Sequence, residues 1–474
     1  MFAILLSIGF SPCCMAWSLF QNSLLVGGMT TLFSGALGFV VAVTLKSMEQ
    51  RWRSWLLPVT VVALVLPPFL VTNCWLDLLG NNGAWRSWLP FNLYSFGGAV
   101  WLLTLLYWPV TTLFVLGAWS QLEAPQLEIE PLMRGGLLVR HLLWPMGRVA
   151  AGQAAVLTFV LALNNFSVPV ILQVRVFPEE LWLAFTTRLD ETGAWTASWP
   201  LIVAPLILVA CLRRADIAWP RREGIATAPA LRRQLGWAWL WLSGIVTAGL
   251  LTLSIALPIK QLVFSSRTWS ELPNLFRAAP DTIWNSFIFA AAAATVCTAA
   301  GLVIWRLRFG RILWLLFLIP GVLLARALVF ALNDTLIYGT AAMVIMAFSF
   351  RYLALGWNGM ALACRGMDPD LIDAARASGA HGWPLLRRVV WPQIAPQVMV
   401  TWYVTYLLCL WDVETLVLLY PPGGETLALR VFNFLHYGHN VQVNALCITL
   451  LALALAPVLV WAGWRCWSNS RNDQ

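Results

Sequence analysis

DPDLIDAARASGAHGWPLLRRVVWP, residues Asp368 to Pro392, is a polar island between two long apolar segments. Its first part carries both ends of a short helix. Asp368 can cap free amides, and Pro369 suits the first helical position, where an N–H would be unpaired in any case; Asp370 and Asp373 complement the positive end of the dipole, and Gly379 can take the left-handed stop. These signals predict about a turn and a half of helix. Leu371, Ala374, Ala375 and Ser378 share one face, whose small side chains let another protein surface approach the backbone closely. A second helix is expected to open at Trp383-Pro384, carry Arg387 and Arg388, and stop before Pro392.

Composition identifies the medium in which the chain folds. Hydrophobic residues make up 60% of the 474 and charged residues 11%, with a mean hydropathy of +0.75, outside the range of soluble globular domains. The bilayer is therefore the solvent, and at roughly 20 residues per spanning helix plus loops the length allows about eleven or twelve spans. The net charge of +9 sits in short basic loops, which orient a membrane protein and do not form a nucleic-acid surface. Nine cysteines, an odd number with no Cys-x-x-Cys pair, lie mostly in or beside apolar segments and read as packing residues.

Phe2 to Phe10 is apolar but short, is broken by Ser11-Pro12, and lacks the positive flank of a cleaved signal peptide. A truncated span, a re-entrant stub and the relic of a longer start all fit it. Expected spans cover residues 21–46, 54–79, 98–119, 147–172 and 198–212, then 235–258, 283–306, 312–332, 338–362, 396–416 and 443–464. When these alternate, Arg51, Arg53, Arg213, Arg214, Arg306, Arg308, Arg311, the Asp368 loop, Arg465 and Arg471 fall on one side, which the positive-inside rule makes the cytoplasm. Tryptophans such as Trp52, Trp55, Trp85, Trp88, Trp119 and Trp305 lie near span ends, as an interfacial belt requires.

The chain repeats itself. Asn22-Ser23 opens the first confident span and Asn285-Ser286 its counterpart; Pro67-Pro68 and Pro320-Gly321 break the next one; each half then has one span before its long polar loop and two after it. The expected fold is an all-α polytopic membrane protein of two tandem homologous helical domains, residues 1–212 and 235–474, joined by a basic cytoplasmic linker over 213–234. In the first half Glu130 and Gly136 keep the spacing of Asp373 and Gly379, but Pro131 and Leu132 replace the alanines, and Gly136 to Pro145 is four residues shorter than Gly379 to Pro392. The two loops are thus expected to act unequally.

The island resembles the cytoplasmic loop of the membrane subunits of bacterial ATP-binding-cassette importers. That loop carries Glu-Ala-Ala, a Gly four positions on, then an aliphatic residue and a Pro ten and thirteen positions after the Gly; here Asp373, Ala374, Ala375, Gly379, Val389 and Pro392 stand in those places, with Asp for Glu the one departure. The wording WDVETLVLLYPPGGETLALRVFNFLHYG from Trp411 and LPPFLVTNCWLDLLG from Leu66 is similar to fused permeases of the ferric-iron and thiamine type. The resemblance implies a multi-pass protein of the bacterial inner membrane whose loops around Asp373 and Glu130 dock on about two copies of a separate ATPase. It also implies delivery of a small solute by a periplasmic binding protein, and no cofactor on this chain.

The residues agree with a non-enzymatic reading. A P-loop needs a Gly-Lys step to wrap phosphates, and the only two lysines, Lys46 and Lys260, follow Leu45 and Ile259. No acid–base dyad, nucleophile elbow or zinc-site spacing stands in the polar loops, and His436 and His439, three apart, read as packed or solvated loop residues before metal ligands. Polar residues at membrane depth, Arg351, Arg326, Asp412, Glu414, Asn164 and Asn165, read either as lining of a solute pathway or as an Arg351–acid pair and helix-end groups satisfied among themselves. An ion-gradient-driven secondary transporter is the alternative function; it shares the repeat but has no need of the Asp373 loop.

Overall fold

The computed structural model describes residues 13–81, 83–89, 91–119, 122, 133–188, 191–212, 227–307, 310–437 and 442–472. Among these every regular element is helical. The chain forms two compact units, Met1–Trp269 and Ser270–Gln474. Among the described residues seven helices are long and apolar enough to cross a membrane, with an eighth candidate in a bent pair.

The first unit opens with α1 (Cys13–Ser47), followed by α2 (Gln50–Val65) and α3 (Pro68–Leu79). Then come α4 (Phe96–Ala118), α5 (Gly136–Asn164), the short α6 (Ser167–Ile171) and α7 (Phe177–Leu183), α8 (Trp199–Leu212) and α9 (Ala228–Phe264). Helices α1, α4 and α5 pack on one another as its core. They meet closely because small residues sit at the crossings: a Cβ on Gly38 would stand 2.5 Å from the Trp108 carbonyl, and the Thr112 hydroxyl donates across the gap to the Gly38 carbonyl at 2.9 Å. Pro67 and Pro68 deny α2 its next amide donors, and the chain turns through 85° between α2 and α3.

The second unit contains α10 (Pro280–Ile304), α11 (Leu313–Leu318), α12 (Gly321–Leu332), α13 (Ala341–Arg365), α14 (Pro369–Ala377), α15 (Trp383–Trp411), α16 (Leu427–His436) and α17 (Val443–Asn472). Its core is α10, α13 and α15. Gly301, Gly356 and Gly359 make these crossings; a Cβ on Gly356 would lie 2.2 Å from the Cys297 carbonyl.

Equivalent bonds tie equivalent elements. The Ser23 hydroxyl accepts from the Phe177 amide at 2.8 Å, and that of Ser286 accepts from the Leu427 amide at 2.7 Å, so a serine of α1 and one of α10 satisfy the first turn of α7 and of α16. The breaks match too. Leu66 and Pro67 adopt ψ 137° and 127°, and Ile319 and Pro320 both adopt ψ 137°.

Several expected boundaries move. The span over 147–172 stops at Asn164, because Asn165 turns extended and the chain restarts in α6. Residues 198–212 give a helix of 14 residues, and 312–332 splits at Ile319-Pro320 into pieces of 6 and 12, which is why fewer helices than eleven meet the length of a span. The segment over 235–258 lies inside α9, which kinks at Gly236 (φ 75°) and packs on α1 in the first compact unit through the Thr247 hydroxyl, a donor to Thr44 at 2.9 Å. The arginines of the basic linker at 213 and 214 lie outside the described residues.

Candidate functional site

Two features stand apart from ordinary packing: an exposed capped helix and a buried cluster of charge.

Helix α14 has no buried residue. Asp368 is its cap, accepting from the Asp370 amide at 3.0 Å, while the Asp368 amide donates to Gln393 Oε1 at 2.8 Å and so ties the start of the loop to α15. At the far end the Gly379 amide donates to the Arg376 carbonyl and the Ala380 amide to the Ala375 carbonyl, both at 2.9 Å, the paired closure of a Schellman end, with Gly379 at φ 86°. The helix is longer than the sequence signals imply, nine residues or about two and a half turns, because the cap at Asp368 and the stop at Gly379 use every residue between them. Asp373 pairs with Arg376 one turn on, at 3.3 Å. Leu371 is 54% exposed, Ala374 and Ser378 are exposed and Ala375 is half-buried, so the small-residue face points away from the core.

The second helix does not stop at Pro392. After Gly382 (φ 60°) the chain enters α15, passes through a π-helical turn at Leu386–Val390, and runs on through Trp391-Pro392 to Trp411. The wider turn accepts the proline that an unbroken α ladder would reject. Val389 is half-buried and Pro392 exposed on this stretch. The first unit repeats it: Gly135 (φ 57°), a π-helical turn at Val139–Leu143, then Trp144-Pro145. The loops therefore align through Gly135 and Gly382, and Gly136 is the first residue of α5 and not a left-handed stop. Gly135 and Gly136 lie against Trp239 of α9, and the Gly135 amide donates to the Gln234 carbonyl at 2.8 Å, whereas a Cβ on Gly382 would meet nothing within 4 Å. Glu130 lies outside the described residues.

The charge cluster brings together three of the six polar residues singled out from the sequence. Arg351, midway along α13, donates from Nη1 to Asp412 Oδ1 at 3.1 Å, Asp412 Oδ2 at 3.0 Å and Thr415 Oγ1 at 2.7 Å, and from Nη2 to Glu414 Oε2 at 2.7 Å. The Tyr352 hydroxyl donates to Asp412 Oδ2 at 3.0 Å, and the Thr415 amide to Asp412 Oδ1 at 2.9 Å. The side chains of Arg351 and Asp412 are 10% and 1% exposed, so this is a desolvated, hydrogen-bonded ion pair. Of the two sequence readings for these residues, the geometry is that of the Arg351–acid pair. Asn164 ends α5 buried, and Asn165 follows it; Arg326 is half-buried on α12. Sequence reasoning missed Gly321, Tyr352 and Thr415. Gly321 sits where a Cβ would come within 2.0 Å of Arg351 Nη1, and the Pro-Gly step after an apolar run was its only signal.

Outside the spans, burial raises the Glu425 carboxyl above the ordinary carboxylate range, opposed by Arg430. Burial raises Glu179 likewise.

No family model matches the chain. Among named proteins, it is 21% identical over 469 residues to the Fe(3+)-transport system permease protein FbpB 2 of Haemophilus influenzae, covering 93% of this chain and 89% of that protein. It is 30% identical over 95 residues to the spermidine/putrescine transport system permease protein PotC of Escherichia coli, covering 20% of this chain and 36% of that protein. Over 117 residues it is 26% identical to the putative 2-aminoethylphosphonate transport system permease protein PhnV of Salmonella typhimurium. The chain thus spans about a third of the length of PotC and nearly all of FbpB 2. It is an all-α polytopic membrane protein homologous to transport-system permeases.

Proposed function

We propose that this chain is the fused permease subunit of an ATP-driven importer in the bacterial inner membrane, with both membrane halves on one polypeptide. The observation that carries this reading is α14: a helix closed at both ends, joined to spanning helix α15, and with no buried residue along its small-residue face. A helix with no fully buried residue gains little tertiary stabilisation from its own chain, so its preformed ends suit it to a groove on a partner. That partner is a separate ATPase, present in about two copies, and Asp373, Ala374, Ala375, Gly379, Val389 and Pro392 form the coupling surface. The first-half loop around Glu130 and Gly136 contributes the second, weaker contact. ATP hydrolysis resides on the partner, and this chain supplies the pathway for a small solute handed over by a periplasmic binding protein. Fe(3+), spermidine/putrescine and 2-aminoethylphosphonate are the cargoes named for the relatives. Their similarity to this chain supports the transport class without choosing among them.

Gly379→Pro and Ala375→Arg test the assignment in cells that depend on this importer for uptake. Both are expected to abolish uptake while the chain still inserts and elutes as a folded species in detergent, because neither residue is buried. Normal uptake by both variants would remove α14 from the coupling surface.

A further inference from the structure

We infer that the two halves carry latches of unequal strength at the broken ends of α5 and α15, and that the segment following α5 is the one that opens. The same backbone arrangement stands in both units. The Tyr107 hydroxyl accepts from Asn165 Nδ2 at 3.1 Å and donates to the Leu161 carbonyl at 3.5 Å; that of Tyr352 donates to Asp412 at 3.0 Å and lies 3.3 Å from the Leu408 carbonyl. Asn165 Oδ1 accepts from the Val168 amide at 3.1 Å as Asp412 Oδ1 accepts from Thr415 at 2.9 Å. On this correspondence Leu106 stands for Arg351, Asn165 for Asp412, Ser167 for Glu414, Val168 for Thr415 and Pro68 for Gly321.

The five positions change as a set. Where the second unit has a cation clamped between two carboxylates, the first has leucine, asparagine and serine, and the glycine that makes room for the guanidinium becomes proline. A second, independent difference points the same way. Counting back from Phe177 and Leu427, which make the equivalent serine bonds, Gln173 and Gly423 are counterparts, and both have positive φ, 57° and 74°. Glycine takes that conformation without strain and glutamine does not. The second segment is tied further by Asn285 Nδ2, which donates to the Gly423 carbonyl at 2.8 Å. Separating a buried ion pair is disfavoured over separating a neutral hydrogen bond by more than tenfold in equilibrium. The segment over 165–176 is therefore the weaker gate, and the segment over 412–426 is held shut.

Use of this asymmetry in transport rests on the importer reading, but its test does not. Hydrogen–deuterium exchange of the full chain in lipid nanodiscs, read by mass spectrometry, follows amides of 166–176 and 413–424 separately. The first segment is expected to exchange at least about 30-fold faster than the second. Arg351→Leu with Asp412→Asn and Glu414→Ser, which installs the first unit's neutral set without leaving Glu414 unpaired, is expected to speed exchange of 413–424 about tenfold or more and leave 166–176 unchanged. Equal exchange of the two segments in the native chain, or no acceleration in the triple variant, would overturn the inference.

Discussion

Gly321→Ala is the smallest change that tests the charge cluster. A Cβ at this position would stand 2.0 Å from Arg351 Nη1 and 2.7 Å from Thr415 Oγ1, against 3.4 Å for an ordinary contact. The guanidinium must then retreat by about 1.4 Å, the difference of those values. The tip of a long side chain would normally swing away at little cost, but this one makes three hydrogen bonds from Nη1, two to Asp412 and one to Thr415. Bonds to charged groups contribute about 1.5–3 kcal/mol each, and a shift of that size weakens all three without removing the ion pair; a loss of about 3 kcal/mol follows. In the background Arg351→Leu with Asp412→Asn the same alanine should cost about 1 kcal/mol or less, since only Thr415 must still give way. Unfolding of the detergent-solubilised chain by added SDS, followed by circular dichroism, measures both legs of the cycle. An equal cost in the two backgrounds would refute the reasoning, since the penalty would then have nothing to do with the pinned guanidinium.

Ser23→Ala and Ser286→Ala each leave a buried amide, that of Phe177 or Leu427, without its acceptor, and each should cost about 1–3 kcal/mol by the same assay. Gly135→Ala should destabilise more than Gly382→Ala: both require a positive φ, at roughly 1–2 kcal/mol, but only the first also presses on Trp239, at 3.2 Å. Glu425 gives a pH dependence whose sign follows from burial. Its carboxyl holds a proton more tightly folded than unfolded, so its contribution is complete at low pH and declines as pH rises from the ordinary carboxylate pKa through the raised one. Glu425→Gln should flatten that part of the stability profile, and a pH series of unfolding midpoints would detect it.

The caps of α14 were legible because they are local: Asp368, Pro369 and Gly379 act within a few residues of the backbone they satisfy. The repeat was legible for the same reason, in the Asn-Ser pairs and the proline breaks. What escaped the sequence was set by contacts across helices. The continuation of α15 through Pro392 depends on a π-helical turn, which has no sequence signature of its own. Gly136 was matched to Gly379 by spacing from Glu130, while the left-handed residue of the first loop is its neighbour Gly135. Arg351 stood out as a charge in an apolar segment, but whether it faced a pathway or an acid depended on where Asp412 lies after Trp411, sixty-one residues away in the chain. Gly321 and Thr415 belong to that cluster only through the fold.

The claim on which the rest depends is that the loop over 368–392 is a docking element for an ATPase. The most direct measurement is to extract the tagged chain gently from its native membrane and identify what copurifies, beside a variant with residues 368–392 scrambled. The account predicts an ATPase at about two copies with the native chain and its loss from the variant. Absence of an ATPase from both preparations in several mild detergents, or its undiminished recovery with the scrambled loop, would contradict it.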